Sequence, residues 1–200
     1  LLCALLSAAV GAKGSVRRLV HDRIDTNVLR GNTMSLDTLP ELLHDQLKDL
    51  QSAESQLIKA LPKMAKAASS GALRTAIEHH LEETQTQLER LLEIGAALDV
   101  KLGGKKCKGM EGLIKEGSEP LKEDAEGAVL DLAIIAGAQR IEHYEIAAYG
   151  TAREVASQLG LEQVVALLQQ TLDEEGAANE KLTAIALELY DPAPAEAARP

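Results

Sequence analysis

Residues 130–149 read LDLAIIAGAQRIEHYEIAAY. On a helical wheel of about 100° per residue, Leu130, Ile134, Ile141 and Ala148 fall on one stripe. Glu145 stands inside that stripe, and Glu142 lies beside it, near Tyr149. A carboxylate taken out of water without a partner is costly, so it normally protonates or is paired. Two acids on the apolar face of one helix therefore raise the question of what else in the chain compensates them.

The same pattern recurs along the sequence. Leu43, Leu47, Leu50, Leu57 and Leu61 form a helical stripe with Glu54 in its middle. Leu168, Leu172 and Leu182 enclose Glu175, with Asn179 one turn further on. Between these, His80 and Gln87 align with Ile77, Thr84 and Leu91, and Glu83 sits at the edge of that face. On the same wheels Glu82, Glu174 and His143 point to solvent. A single Glu on such a face usually reaches water along its stem. Four helices each offering one at similar depth favour a shared centre instead. No Lys or Arg lies clearly on these stripes, so a pair of metal ions is the simplest counter-charge. Hard oxygen ligands with imidazole suit iron or manganese better than copper.

Composition agrees with helices throughout. Of 200 residues 46% are hydrophobic, mostly Ala and Leu, with no Phe or Trp and three Tyr. Such a chain lacks the aromatic and β-branched residues that strands favour. The spacing predicts helices over about 35–68, 72–98, 125–157 and 162–189, with a short one near 110–116. The first is capped by Ser35 or Asp37, takes Pro40 into its first turn and kinks at Pro62. Ser69-Ser70-Gly71 and Leu159-Gly160 are tight breaks, whereas residues 100–125 form a long irregular link. Short, long, short connections describe two helical hairpins joined by one crossover, which is the ferritin-like arrangement of an all-α four-helix bundle. An echo between Glu82-Glu83…Gln87 and Glu174-Glu175…Asn179 points to a repeated hairpin.

The net charge of −10 argues against a nucleic-acid partner and fits a solvated surface or attraction of cations. No Gly-rich phosphate loop is present. Cys3 and Cys107 are too few for a disulfide framework. Lys105, Lys106 and Lys108 would favour a thiolate at Cys107, but an inert surface thiol is the expectation. LLCALLSAAVGA at residues 1–12 looks like the end of a secretory signal, yet no charged region precedes it and it is too short to span a bilayer. Met34 stands just before the first helix. The expectation is an extension over residues 1–33, a domain over 34–190 and a disordered Pro/Ala-rich tail over 191–200, in a cytoplasmic protein with no membrane segment.

Taken together, LHDQLKDLQSAESQLIKALPKMAKAA (43–68), HLEET (80–84), KCKGMEGLIKEG (106–117), EHYEIAAYGT (142–151) and TLDEE (171–175) resemble the YciE/YciF-type ferritin-like family of bacterial stress-associated proteins. The resemblance spans about residues 36–188. It implies a rubrerythrin-like bundle with a dimetal centre, assembled as a homodimer; the donor chemistry puts iron first and manganese second. It matches Glu54 to the first-helix ligand, Glu142 with Glu145 to the third-helix pair, and Glu83 and Glu175 to the acids of the second and fourth helices. The usual Glu-x-x-His is missing, because three residues after Glu83 stands Thr86 and three residues after Glu175 stands Ala178. His80 then replaces one imidazole, and Gln87 or Asn179 either ligates or supports a ligand. This departure bears on metal identity and redox competence.

Two functions follow. In the first, a di-iron oxidoreductase of ferroxidase or peroxidase type acts on dioxygen or peroxide, with Tyr144 and Tyr149 as hydrogen-bond donors, radical sinks or packing. In the second, a non-enzymatic stress protein acts through dimerisation or a partner, with a structural metal or none. A manganese catalase is less favoured, because imidazoles are few.

Overall fold

The computed structural model describes residues 36–123 and 127–190. The expected extension over 1–33 and tail over 191–200 lie outside the described residues. The elements are α1 (Leu39–Ala67), α2 (Gly71–Leu98), α3 (Lys108–Gly117), a 3-10 turn (Pro120–Lys122), α4 (Gly127–Gln158) and α5 (Glu162–Tyr190). Among the described residues there is no strand. α1 and α2 form one hairpin and α4 and α5 the other; α1 packs on α4 and α2 on α5, while α3 lies along α4 and α1. The protein is thus a four-helix bundle with a single crossover, and each long helix extends roughly 40 Å or more at about 1.5 Å per residue.

Local chemistry sets the ends. The cap of α1 lies one residue beyond Asp37, the later of the two expected positions. Thr38 rather than Ser35 or Asp37 is the cap, since its N–H donates to Glu41 Oε2 (3.0 Å) and the Glu41 N–H donates to its Oγ1 (3.4 Å). That reciprocal pair needs Glu three residues after Thr, and Thr38 alone satisfies it. Pro40 sits in the first turn. The helix continues past Pro62 to Ala67, with the proline ring on an exposed face. Gly160, at φ 68°, closes the α4–α5 turn in the left-handed conformation a glycine adopts freely.

The α1–α2 turn is held by a residue the sequence reading passed over. Asp131, buried on α4, accepts from the backbone N–H groups of Ser69 and Ser70, both at 2.8 Å. Ionised acceptors make the stronger hydrogen bonds, so this carboxylate ties the second hairpin to the turn of the first. α3 is clamped by close backbone approach: a Cβ added at Gly137 would lie 3.0 Å from Gly117 Cα.

The core is divided in two. One apolar cluster holds Leu57, Leu61, Ile77, Met110, Ile134, Ile141, Leu182 and Ile185. The other holds Leu43, Leu47, Leu50, Leu91, Tyr149, Val164 and Leu168. On every long helix the switch between clusters falls at or beside buried polar residues: Ser52 and Glu54 on α1, His80 to Gln87 on α2, Glu142 and Glu145 on α4, Thr171 and Glu175 on α5. The bundle therefore carries a polar layer at mid-height, with an apolar plug above and below it.

Candidate metal centre

α1, α4 and α5 deliver acids to this layer and α2 delivers His80, because the helical period puts each on the same face as the apolar residues around it. Glu54, Glu145 and Glu175 are each 0% exposed and Glu142 is 2%. His80 reaches across the bundle from α2: its Nε2 is 3.5 Å from Glu142 Oε1 and 3.8 Å from Glu175 Oε2. One ligand atom from each of His80, Glu142, Glu145 and Glu175 lies within 4.8 Å of the other three, a spacing that could hold a metal ion. Glu54 stands beside this group rather than in it, with its Oε1 taking the hydroxyl hydrogen of the fully buried Tyr149. Glu83 is at the rim, 29% exposed, with its Oε2 3.6 Å from His80 Nδ1 and 3.2 Å from His79 Nδ1.

The electrostatics are those of acids short of counter-charge. Burial, only partly offset by the Tyr149 hydroxyl and by His80, pushes Glu54 up to about 7. Burial and then the charges on Glu54, Glu175 and Glu142 hold Glu145 well above the usual carboxylate range. Glu175 is raised likewise, by burial and then by Glu142 and Glu54. Desolvation works against a charged imidazole at His80, but Glu142, Glu83 and Glu54 outweigh it and raise His80 overall. Glu83, more open, is lowered, chiefly by His80.

Most telling are the unused atoms. Buried and without a hydrogen-bond partner are both ring nitrogens of His80, both carboxylate oxygens of Glu145 and of Glu175, Glu54 Oε2, Glu142 Oε2 and Gln87 Oε1. Native proteins pair the great majority of buried polar groups, so such a concentration in one layer requires an explanation. The donor set, carboxylate oxygens with one imidazole, is of the hard kind that fits iron or manganese.

Other expectations are redistributed. Gln87 is buried, but its amide donates to Glu174 Oε2 at 3.0 Å. Asn179 is turned to Gln139, accepting from its amide at 3.2 Å. Glu174 does not face open solvent. It is half-buried and takes both guanidinium arms of Arg90, at 2.9 and 3.0 Å, while Arg90 also donates to Thr171. A base therefore does sit against the layer, with its charge spent on Glu174; the sequence signal was Arg90 one turn after Gln87. His143 is exposed. Tyr144 points away from the layer and donates to Asp49 Oδ2 at 2.5 Å. Cys107 is not a surface thiol: it is 1% exposed, caps α3 by accepting from the Met110 N–H, and lies 2.9 Å from the Tyr144 hydroxyl. Burial pushes its thiol up, and the nearby Lys105 ammonium goes to Asp45 and Asp49 instead.

No helix among the described residues is long and apolar enough to cross a membrane. Comparison with known proteins agrees with the bundle. Residues 38–193 match the family described as "Domain of unknown function (DUF892)". Protein YciF of Escherichia coli is 43% identical over 155 residues, covering 77% of this chain and 93% of that protein. The crystal structure of that Escherichia coli protein, described as a stress protein, aligns with a TM-score of 0.77 and 41% identity, over 78% of this chain and 99% of that one. The structure of YcfI from Rhodopseudomonas palustris aligns with a TM-score of 0.72 and 46% identity, over 76% and 98%. The match over nearly the whole bundle, together with this level of identity, means that the chain belongs to the DUF892 family and shares its fold with YciF.

Proposed function

We propose that this chain binds two metal ions in its mid-bundle layer, iron first and manganese second, and acts in the stress response by reducing dioxygen or peroxide. The observation that carries this reading is the set of buried oxygen and nitrogen atoms without partners. Protonation would neutralise the acids one at a time but would leave acceptor atoms unmet, whereas divalent ions answer charge and coordination together. When bound, such a metal pair supplies electrons and Lewis acidity. The stress role is carried over from the description of YciF.

The chain's own residues divide the work. Glu142, Glu145, Glu175 and His80 would hold the ions, with Glu54 completing the layer from α1 and Glu83 from its rim. Tyr149 fixes the orientation of Glu54 through its hydroxyl. Arg90 and Glu174 close the seam between α2 and α5, and the pairing spends the charge of that guanidinium at the edge of the layer. Between the two apolar plugs the acids of the layer are almost wholly buried, which strengthens the charge interactions among them.

The test is metal content after purification without chelators, for the wild type and for Glu54→Ala and Glu175→Ala. The expected result is about two ions per chain in the wild type and loss in both variants. Less than a few tenths of an ion per chain after reconstitution would remove the reading. The single imidazole in the layer favours a second reading, in which the metal is structural and the bundle acts by dimerisation or through a partner. A near-ultraviolet absorption band that grows as the ferrous protein meets air separates the first reading from the second.

A further inference from the structure

A cavity of about 150 Å³ lies beside the layer, among α1, α2, α4 and α5. Its inner end is formed by His80 and Glu142, both buried. Its walls are apolar, formed by Leu61, Ile77, Leu182, Ala76, Ala138 and Ala178. At its outer end are the exposed His79 and Lys181 and the half-buried Glu83. The space has an identifiable origin. Bundles of this kind place histidine three residues after a ligating Glu. Three residues after Glu175 this chain has Ala178, and Ala178 lines the cavity.

The dimensions decide what fits. Dioxygen or hydrogen peroxide is comparable in size to a water molecule, whose share of liquid volume is about 30 Å³. Either would leave most of the cavity empty and would gain little from walls of Leu, Ile and Ala. An apolar cavity of about this size elsewhere accommodates benzene. Here, however, the inner end carries an imidazole and a carboxylate, so a guest with one hydrogen-bonding group suits it better than a wholly apolar one.

We propose that this cavity is a binding site for a small amphiphile, with an apolar body of about six to eight non-hydrogen atoms and one hydroxyl or hydroperoxyl group directed at His80 and Glu142. The proposal deepens the metal-centre reading, on which its functional meaning rests, because it sets an organic substrate against the layer. The binding itself depends only on residues of this chain and is measured without metal.

The experiment uses the full chain, as purified and after chelation, titrated with phenol by ligand-observed NMR, with benzene and hydrogen peroxide as comparisons and tert-butyl hydroperoxide as competitor. Phenol is expected to bind saturably at one site and at least about tenfold tighter than benzene, the ratio one hydrogen bond to a charged group supplies. tert-Butyl hydroperoxide is expected to displace phenol, and hydrogen peroxide is not. Ala178→Leu fills the cavity and is expected to weaken phenol by at least about tenfold, while Ala178→Ser is expected to retain it. Should Ala178→Leu fail to fold, Ala177→Leu obstructs the same cavity from an exposed position. Phenol that does not saturate up to about 10 mM, or binding indifferent to the filling variants, overturns the proposal. Benzene binding as tightly as phenol overturns the role given to His80 and Glu142. Failure of phenol in a chain that still takes up its metals leaves the metal-centre reading intact, and saturable phenol binding in a chain that takes up none removes that reading alone.

Discussion

Metal-free protein is expected to lose stability as the pH is raised from about 5 to about 8, because its buried acids must then ionise without a counter-ion. Glu54 sets the scale. An exposed glutamate gives up its proton near 4.5, but burial holds Glu54 to about 7 in the fold. Between those values the folded chain keeps a proton the unfolded chain has lost, so this contribution is fully present below 4.5 and is gone above about 7. The gap corresponds to about 3 kcal/mol at about 1.36 kcal/mol per pH unit. For a domain of this size that lowers Tm by about 6–12 °C.

Glu145 and Glu175, raised by burial and then by neighbouring carboxylates, act in the same direction. His80 does too, since its folded value is raised and its contribution disappears as the pH rises through it. Glu83 and Asp49 are lowered, so what they contribute is lost only at acid pH, below this window. The assay is thermal and urea unfolding followed by circular dichroism, in chelator, at intervals across the range. Saturating metal is expected to reverse the trend, since ions compete with protons for the same oxygens. Glu54→Gln is expected to remove the Glu54 share of the slope while leaving Tyr149 an acceptor. A metal-free chain that is equally or more stable at the alkaline end would refute the claim that these carboxylates share a dry layer.

Tyr149→Phe removes the hydroxyl that orients Glu54 and is expected to weaken metal binding by about tenfold or more in a chelator-competition titration, as loss of a group supporting a ligand usually does. Gly137→Ala drives a methyl against the Gly117 backbone at 3.0 Å, where no side chain can yield. It is expected to cost about 1–3 kcal/mol in urea unfolding, and an unchanged midpoint would contradict the tight seating of α3 on α4. In a Cys3→Ser background, Cys107 is expected to react with a thiol reagent far more slowly in the native protein than in urea, because it is buried and its thiol is held above its ordinary value. Equal rates would place it at the surface after all.

The sequence by itself determined the helices, their pairing into hairpins and the acids that share a face with leucine. All three depend on neighbours a turn or two apart along one chain segment, and the period of about 3.6 residues makes such neighbours readable. Glu54, Glu145 and Glu175 were legible for this reason, as polar residues interrupting a stripe. Connection lengths then carried the topology, since a short link admits only an antiparallel neighbour.

What tertiary structure alone decided involves partners far apart in sequence. Asp131 meets Ser69 and Ser70, Arg90 meets Glu174, Tyr149 meets Glu54, and Cys107 meets Tyr144. None of these pairs follows from a wheel, because each depends on the axial register of one helix against another, and a shift of one residue turns a side chain by about 100°. A lysine-rich setting made Cys107 look open, yet packing buried it and directed Lys105 to two aspartates. Likewise Ala178 marks a missing histidine in the sequence, which says nothing of the space it leaves until the helices are assembled. Only then does the side chain it lacks become a cavity against His80 and Glu142, because the volume of a bundle core is set by all of its helices together.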